Sequence, residues 1–289
     1  MKFSKILRDV LSREKTMLVP GSYDAFSAKI LKQAGFQVIY MTGSGVTASI
    51  TGMPDVGILT MTEMVNQARN IVNATNMPLI CDADNGYGNP INVIRMIKEY
   101  ESAGVAGIHM EDQVSPKRCG HFEGKQVLPG VEMVKKIEAA RYAREDENFL
   151  LIARTDARSV LGLEEAIQRA RMYADAGADM IFIESPHSEA ELETICTELA
   201  GVPLMVNMVE GGKTPILPFE RLSELGFKLV LYPTCGIRAV AKTMQDLAAH
   251  LFENKDTLGF VDHLVSFEGR NRITGLAKIK ELENRFVLV

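Results

Sequence analysis

Tryptophan is missing from this 289-residue chain, and aromatic residues of all kinds make up only 7% of it. With 46% hydrophobic residues and a mixed charge that sums to −5, the composition is that of a globular protein with an aliphatic core. No apolar run approaches ~20 residues, so no segment is expected to span a bilayer. The opening residues, Met1-Lys2-Phe3-Ser4-Lys5-Ile6-Leu7-Arg8, scatter charge where a secretory leader would be apolar, and read as a short amphipathic helix. Cysteine is scarce and unpaired: Cys81, Cys119, Cys196 and Cys235 have no CxxC spacing. This disfavours a zinc site or a disulfide framework and fits free thiols in a cytoplasmic protein. A mildly acidic chain lacks the concentrated basic face that nucleic acid requires. No GxxxxGK[ST] motif offers a nucleoside triphosphate site. No Pro/Ser-rich linker or low-complexity block divides the chain.

What remains is a regular alternation. Short apolar runs with strand character lie at Met17–Val19, Val38–Met41, Leu79–Asp82, Gly107–Met110, Leu150–Arg154, Met180–Ile183, Leu204–Asn207 and Leu229–Leu231. They are mostly non-alternating, as parallel strands covered on both faces should be. Helical runs lie between them, including Thr62–Ala74, Pro90–Ala103, Val131–Arg144, Leu163–Ala176 and Glu189–Leu199. In Leu163–Ala176 the residues Ala166, Ala170, Tyr173 and Ala174 mark the apolar face, with Arg169 and Arg171 off it. A weak repeat, Ala34-Gly35-Phe36, Ala103-Gly104-Val105, Ala176-Gly177-Ala178 and Leu225-Gly226-Phe227, puts a glycine after a helix and before a strand. Glycine there takes the left-handed conformation that turns the chain. Eight such units predict one (β/α)8 TIM barrel over residues 1–289, with a helical, polar C-terminal extension from about 251.

In such a barrel the strand C-termini face the active site. The polar residues gather there: Tyr40-Met41-Thr42-Gly43-Ser44 after the second strand, Asp82-Ala83-Asp84 after the third, His109-Met110-Glu111-Asp112 after the fourth. Arg154, Glu184, Asn207 and Tyr232 follow on later strands. Asp82 and Asp84 share a face, and His109 and Glu111 repeat the spacing. Carboxylates this close repel unless a cation lies among them. The set suits Mg²⁺, Mn²⁺ or another divalent ion held by about one direct carboxylate and otherwise through water; ion pairing with Lys117, Arg118 or Arg154 is the alternative. Gly43-Ser44-Gly45-Val46-Thr47-Ala48 formally matches a dinucleotide motif, but the run to Pro54 reads as a loop. Its backbone N–H groups and the Thr42 and Ser44 hydroxyls suit a carboxylate. No lysine ends the sixth strand, which argues against a Schiff-base aldolase. The densest segment runs from Glu111 to His121, where Cys119 follows Lys117 and Arg118 in a setting that favours thiolate.

The loop Lys117-Arg118-Cys119-Gly120-His121, with Asp82-Ala83-Asp84 and Arg154-Thr155-Asp156-Ala157, resembles the isocitrate lyase/phosphoenolpyruvate mutase superfamily, and the likeness covers nearly the whole chain. Cys119-Gly120-His121-Phe122-Glu123-Gly124-Lys125 and Glu210-Gly211-Gly212-Lys213-Thr214-Pro215 look most like its 2-alkylmalate lyases. The resemblance implies Mg²⁺-dependent retro-Claisen cleavage of a small 2-hydroxy dicarboxylate, with (2R,3S)-2,3-dimethylmalate giving pyruvate and propanoate. The alternatives are 2-methylisocitrate cleavage, oxaloacetate hydrolysis and carboxyphosphonoenolpyruvate mutation. It implies that Thr42, Gly43 and Ser44 hold a 2-oxo-acid carboxylate and that Asp55, Asp82, Asp84 and Glu111 surround the metal. It makes Cys119 the general acid on a loop with Lys117, Gly120 and His121. Arg154, Glu184, Asn207, Arg238 and Arg270 then line the rest of the pocket, and Tyr40 is a candidate base. It also implies a homotetramer, a dimer of dimers whose eighth helix is exchanged between subunits.

Overall fold

The computed structural model describes residues 2–287, so Met1, Leu288 and Val289 at the ends of the expected barrel and extension lie outside the described residues. Eight strands are present: β1 Met17–Ser22, β2 Ile39–Met41, β3 Leu79–Asp82, β4 Gly107–Glu111, β5 Leu150–Thr155, β6 Met180–Ile183, β7 Leu204–Asn207 and β8 Leu229–Tyr232. They close into one barrel in sequence order, and β8 pairs in parallel with β1. This is the (β/α)8 fold that the alternation predicts.

The strands read as continuous apolar runs because both of their faces are covered. Outward residues such as Ile108, Leu151, Ile181 and Val230 pack beneath the helices. Inward residues such as Ile80, Ile152, Phe182 and Leu231 fill the barrel. The helix Phe3–Arg13 adds Leu7, Val10 and Leu11 to that inner cluster, so the expected N-terminal amphipathic helix plugs the N-terminal end. The plug leaves the other end as the mouth of the barrel. There the alternation that buries Ile80, Ile152 and Phe182 also turns Asp82, Arg154 and Glu184 toward the axis. The four glycines of the repeat have φ between +81° and +103°, the left-handed turn expected of them.

Three local readings need correction. Gly43–Thr51 is a helix capped by Thr42, whose hydroxyl accepts from the Gly45 N–H, and not a loop. Its two glycines conceal the helical pattern. Arg169 belongs to the buried face of helix Leu163–Asp175, where its guanidinium donates to Asp112 Oδ2 at 3.0 Å. The region after His250 is helical, but it is not simply polar: Phe252, Leu258, Phe267 and Phe286 stand exposed.

Candidate active site

Neighbouring strands place the ionisable residues side by side. Asp82 of β3 is in register with His109 of β4, and Glu111 of β4 with Arg154 of β5. All four side chains are buried at the C-terminal mouth. A cavity of about 400 Å³ opens there, lined by Tyr40, Thr42, Ser44, Asp55, Asp82 and Lys117. Cys119, Gly120, His121, Arg154, Glu184, Asn207 and Arg238 line it as well. Gly43 packs against Asp82: a Cβ there would come within 2.6 Å of Asp82 Oδ2. Asp84 faces an adjoining cavity of about 360 Å³, and Lys117 lies on the wall of both. Arg270 is not brought to the site. It is exposed on helix Phe267–Thr274, with its guanidinium over the Phe267 ring, because that segment runs along the outside of the barrel.

Lys117 points into the acids. Its ammonium donates to Asp55 Oδ2 at 2.9 Å and also lies 2.7 Å from Asp55 Oδ1 and 2.6 Å from Asp84 Oδ1. Burial, opposed by Lys117 and reinforced by the charges of Asp82 and Asp55, lifts the Asp84 carboxyl to about 6. Burial opposes ionisation of Asp82 as well, but His109, Lys117 and Arg154 hold its carboxyl below the usual range. Glu111 is pushed well up by burial. Arg154 Nη1 lies 3.3 Å from Glu111 Oε2, yet both Glu111 oxygens lack a hydrogen-bond donor.

Among the described residues no three His, Cys, Asp or Glu side chains converge closely enough to ligate an ion directly. Ion pairing, the alternative raised from the sequence, is present: Lys117 neutralises Asp55 and Asp84, and Arg154 lies near Glu111. The two Glu111 oxygens still lack a hydrogen-bond donor, which the waters of a hydrated divalent cation would supply, and an all-oxygen set suits Mg²⁺.

Cys119 departs from the expected thiolate. Lys117 is turned away into the acids, and the exposed Arg118 directs Nη1 to the Glu123 carbonyl at 3.3 Å. Burial therefore dominates and pushes the thiol up to about 11. Tyr40 donates to, or accepts from, His109 Nε2 at 2.6 Å. Burial lowers His109 to about 4 and raises Tyr40 well above the phenol range, so the pair rests as neutral imidazole and protonated phenol. A phenol that holds its proton so firmly is a poor base, which weighs against Tyr40 in that role. His121 is also kept neutral, chiefly by burial; its Nδ1 accepts from the Lys213 N–H at 3.3 Å, which fits a loop-positioning role.

The sequence reading missed two features of the pocket. Ala48, Phe122, Val209, Ile237 and Ala241 add apolar lining to it, drawn from four separate segments with no common motif. Arg238 is committed to Glu210: its Nη1 donates to the Glu210 carbonyl at 2.5 Å and to Oε2 at 3.2 Å.

Residues 7–252 match the family model described as phosphoenolpyruvate phosphomutase. The 2,3-dimethylmalate lyase of Eubacterium barkeri is 47% identical over 280 residues, covering 97% of this chain and 96% of its own. A probable 2-methylisocitrate lyase 2 of Corynebacterium glutamicum is 39% identical, covering 96% of this chain and 89% of its own. Among solved structures, oxaloacetate acetylhydrolase in complex with 3,3-difluorooxalacetate superposes with a TM-score of 0.93 at 36% identity, covering 98% of this chain and 97% of its own.

Proposed function

Because this chain belongs to the PEP mutase/isocitrate lyase superfamily and is a carbon–carbon lyase, we propose that it splits a 2-alkylmalate, (2R,3S)-2,3-dimethylmalate, into pyruvate and propanoate. One observation carries the choice of substrate. The cavity that Cys119 shares with Asp55 and Asp82 is also lined by Ala48, Phe122, Val209, Ile237 and Ala241. Methyl groups suit such a lining, whereas a third carboxylate would lose its water against it. Identity to the Eubacterium barkeri enzyme supports the same reading.

Asp55, Asp82, Asp84 and Glu111 would hold Mg²⁺ or a similar divalent ion. When bound, the ion supplies Lewis-acid polarisation of the substrate oxygens. The N-terminus of helix Gly43–Thr51, with the Ser44 hydroxyl, receives the carboxylate next to the carbinol carbon. The carbinol O–H loses its proton to a base in the acidic cluster, and the C2–C3 bond breaks as C2 becomes the carbonyl of pyruvate. The electron pair stays on C3, conjugated with the distal carboxylate. Arg154 and the Asn207 amide line the same cavity and would stabilise that charge. The Cys119 thiol gives its proton to C3, forming propanoate, and the thiolate regains a proton from solvent. A thiol held near 11 is well placed to donate and reluctant to ionise beforehand.

The test is a panel of 2-alkylmalates, 2-methylisocitrate and oxaloacetate, each with and without Mg²⁺, ranked by kcat/KM. Dimethylmalate should lead and metal removal should abolish turnover. A lead of tenfold or more for methylisocitrate or oxaloacetate would overturn the assignment.

A further inference from the structure

Lys125 lies in the same excursion as Cys119 but does not line the cavity. Its side chain is almost wholly buried and donates to three groups. Nζ reaches Asp156 Oδ1 at 2.8 Å and Ser159 Oγ at 3.5 Å, and it also hydrogen-bonds the Gly120 carbonyl. That carbonyl belongs to the residue after Cys119. It has a second donor, Ser185 Oγ at 3.3 Å, from the end of β6. Asp156, just past β5, is fully buried and is itself fixed: Arg154 donates to it through Nε at 3.0 Å and Nη2 at 3.2 Å, while its N–H donates to Asp112 Oδ1. Burial opposes a charge on Asp156, but Arg154 and Lys125 hold its carboxyl well below the usual range.

The loop is thus pressed against the groups that handle the developing charge. A Cβ on Gly120 would come within 2.5 Å of Arg154 Nη2 and 2.6 Å of Glu184 Cγ, so only glycine allows this approach. The other ionic tie at the loop tip, Lys213 to Glu123, is solvent-facing on the Glu123 side and is expected to contribute little. Lys125–Asp156 is buried on both sides, where loss of one partner is felt strongly.

We propose that Lys125 is a positioning residue that clips the Gly120 carbonyl to Asp156 and so fixes the Cys119 thiol over the substrate. The clip rests on the reading of Cys119 as the proton donor, but its geometry can be tested without turnover. A side chain of the loop itself bridges the loop backbone to the end of β5. Loss of the ammonium frees the turn between Gly120 and Gly124 and leaves the barrel unchanged. It also returns Asp156 wholly to Arg154, drawing that guanidinium toward β5.

The test measures iodoacetamide alkylation of each cysteine by peptide mass spectrometry, in the wild type, Lys125→Met and Ser185→Ala. Lys125→Met should alkylate Cys119 at least tenfold faster, with Cys196 and Cys235 reacting at wild-type rates. Ser185→Ala, which strands no buried charge, keeps the test open should Lys125→Met fail to fold, and should show a smaller rise of twofold or more. Lys125→Met should also lower kcat at least tenfold while oxalate affinity in the presence of Mg²⁺ stays within threefold, and Lys125→Arg should restore part of kcat. An unchanged Cys119 rate in the variants that fold, or a rise shared equally by Cys196 and Cys235, overturns the clip. Faster Cys119 alkylation with no fall in kcat would leave the clip standing and count against Cys119 as the acid.

Discussion

At the scale of single residues, burial matters more than sequence neighbours. Lys117 and Arg118 adjoin Cys119 in the chain, yet one ammonium is spent on Asp55 and Asp84 and the guanidinium lies outside. The thiol is therefore held up to about 11, above the ~8.5 of a free cysteine. A general acid works while protonated, so its contribution is present below its pKa and fades as pH rises through it. kcat/KM for the free enzyme should hold level past pH 9 and fall only toward 11. An alkaline limb centred near 8, lost in Cys119→Ser, would contradict this. The sequence made the chemistry-bearing residues legible because strand alternation and barrel geometry assign them to one end. It did not show their partners. Nothing local to Arg238 reveals Glu210, and nothing local to Tyr40 reveals a hydrogen bond to His109.

At the scale of elements, periodicity located all eight strands, whose observed bounds differ from the expected ones mainly at the ends. It failed where a residue type contradicts its own burial. Arg169 looks like a solvent residue of helix Leu163–Asp175, but with Tyr173 and Thr155 it surrounds the fully buried Asp112. That network ties the helix to the ends of β4 and β5, behind Arg154 and Asp156. Arg169→Met should leave Asp112 a buried charge without its cation and cost about 3 kcal/mol. At roughly 2–4 °C per kcal/mol for a chain of this size, the thermal midpoint should fall by several degrees or more. A change below about 0.5 kcal/mol, the scale of an ordinary surface substitution, would contradict the role. Gly43–Thr51 was hidden for the opposite reason: glycine, serine and threonine are poor helix formers, and the helix is fixed by its Thr42 cap and by packing of Val46 and Thr47.

At the scale of the whole molecule, one face is unfinished. The helix Cys235–Asn254 follows β8, where a barrel helix should pack, yet it contains no buried residue. Val240, Met244 and Phe252 stand exposed along it, and so do Leu258, Phe267 and Phe286 in the C-terminal segments that follow. Where exposed apolar residues gather in a large patch, they mark an interaction surface. The occupant proposed here is a second copy of the chain, with the homotetramer and helix exchange implied by the family resemblance. Light scattering on the purified protein should give a tetramer, and Phe252→Asp with Leu258→Asp should lower the assembly state. A wild-type monomer at micromolar concentration would contradict it. Neither partner nor register could be read from the sequence, since an apolar helix face looks the same whether its own barrel or a neighbour covers it.

All three scales meet in the claim that one cavity holds Asp55 and Asp82 of the acidic cluster together with the proton-donating thiol. The most direct measurement compares Cys119→Ser with wild type for pyruvate release from (2R,3S)-2,3-dimethylmalate and for oxalate affinity, both in Mg²⁺. The account expects turnover to fall by about 10²–10⁴, the scale of a lost general acid, while oxalate affinity stays within threefold. Turnover by Cys119→Ser equal to that of wild type would contradict it.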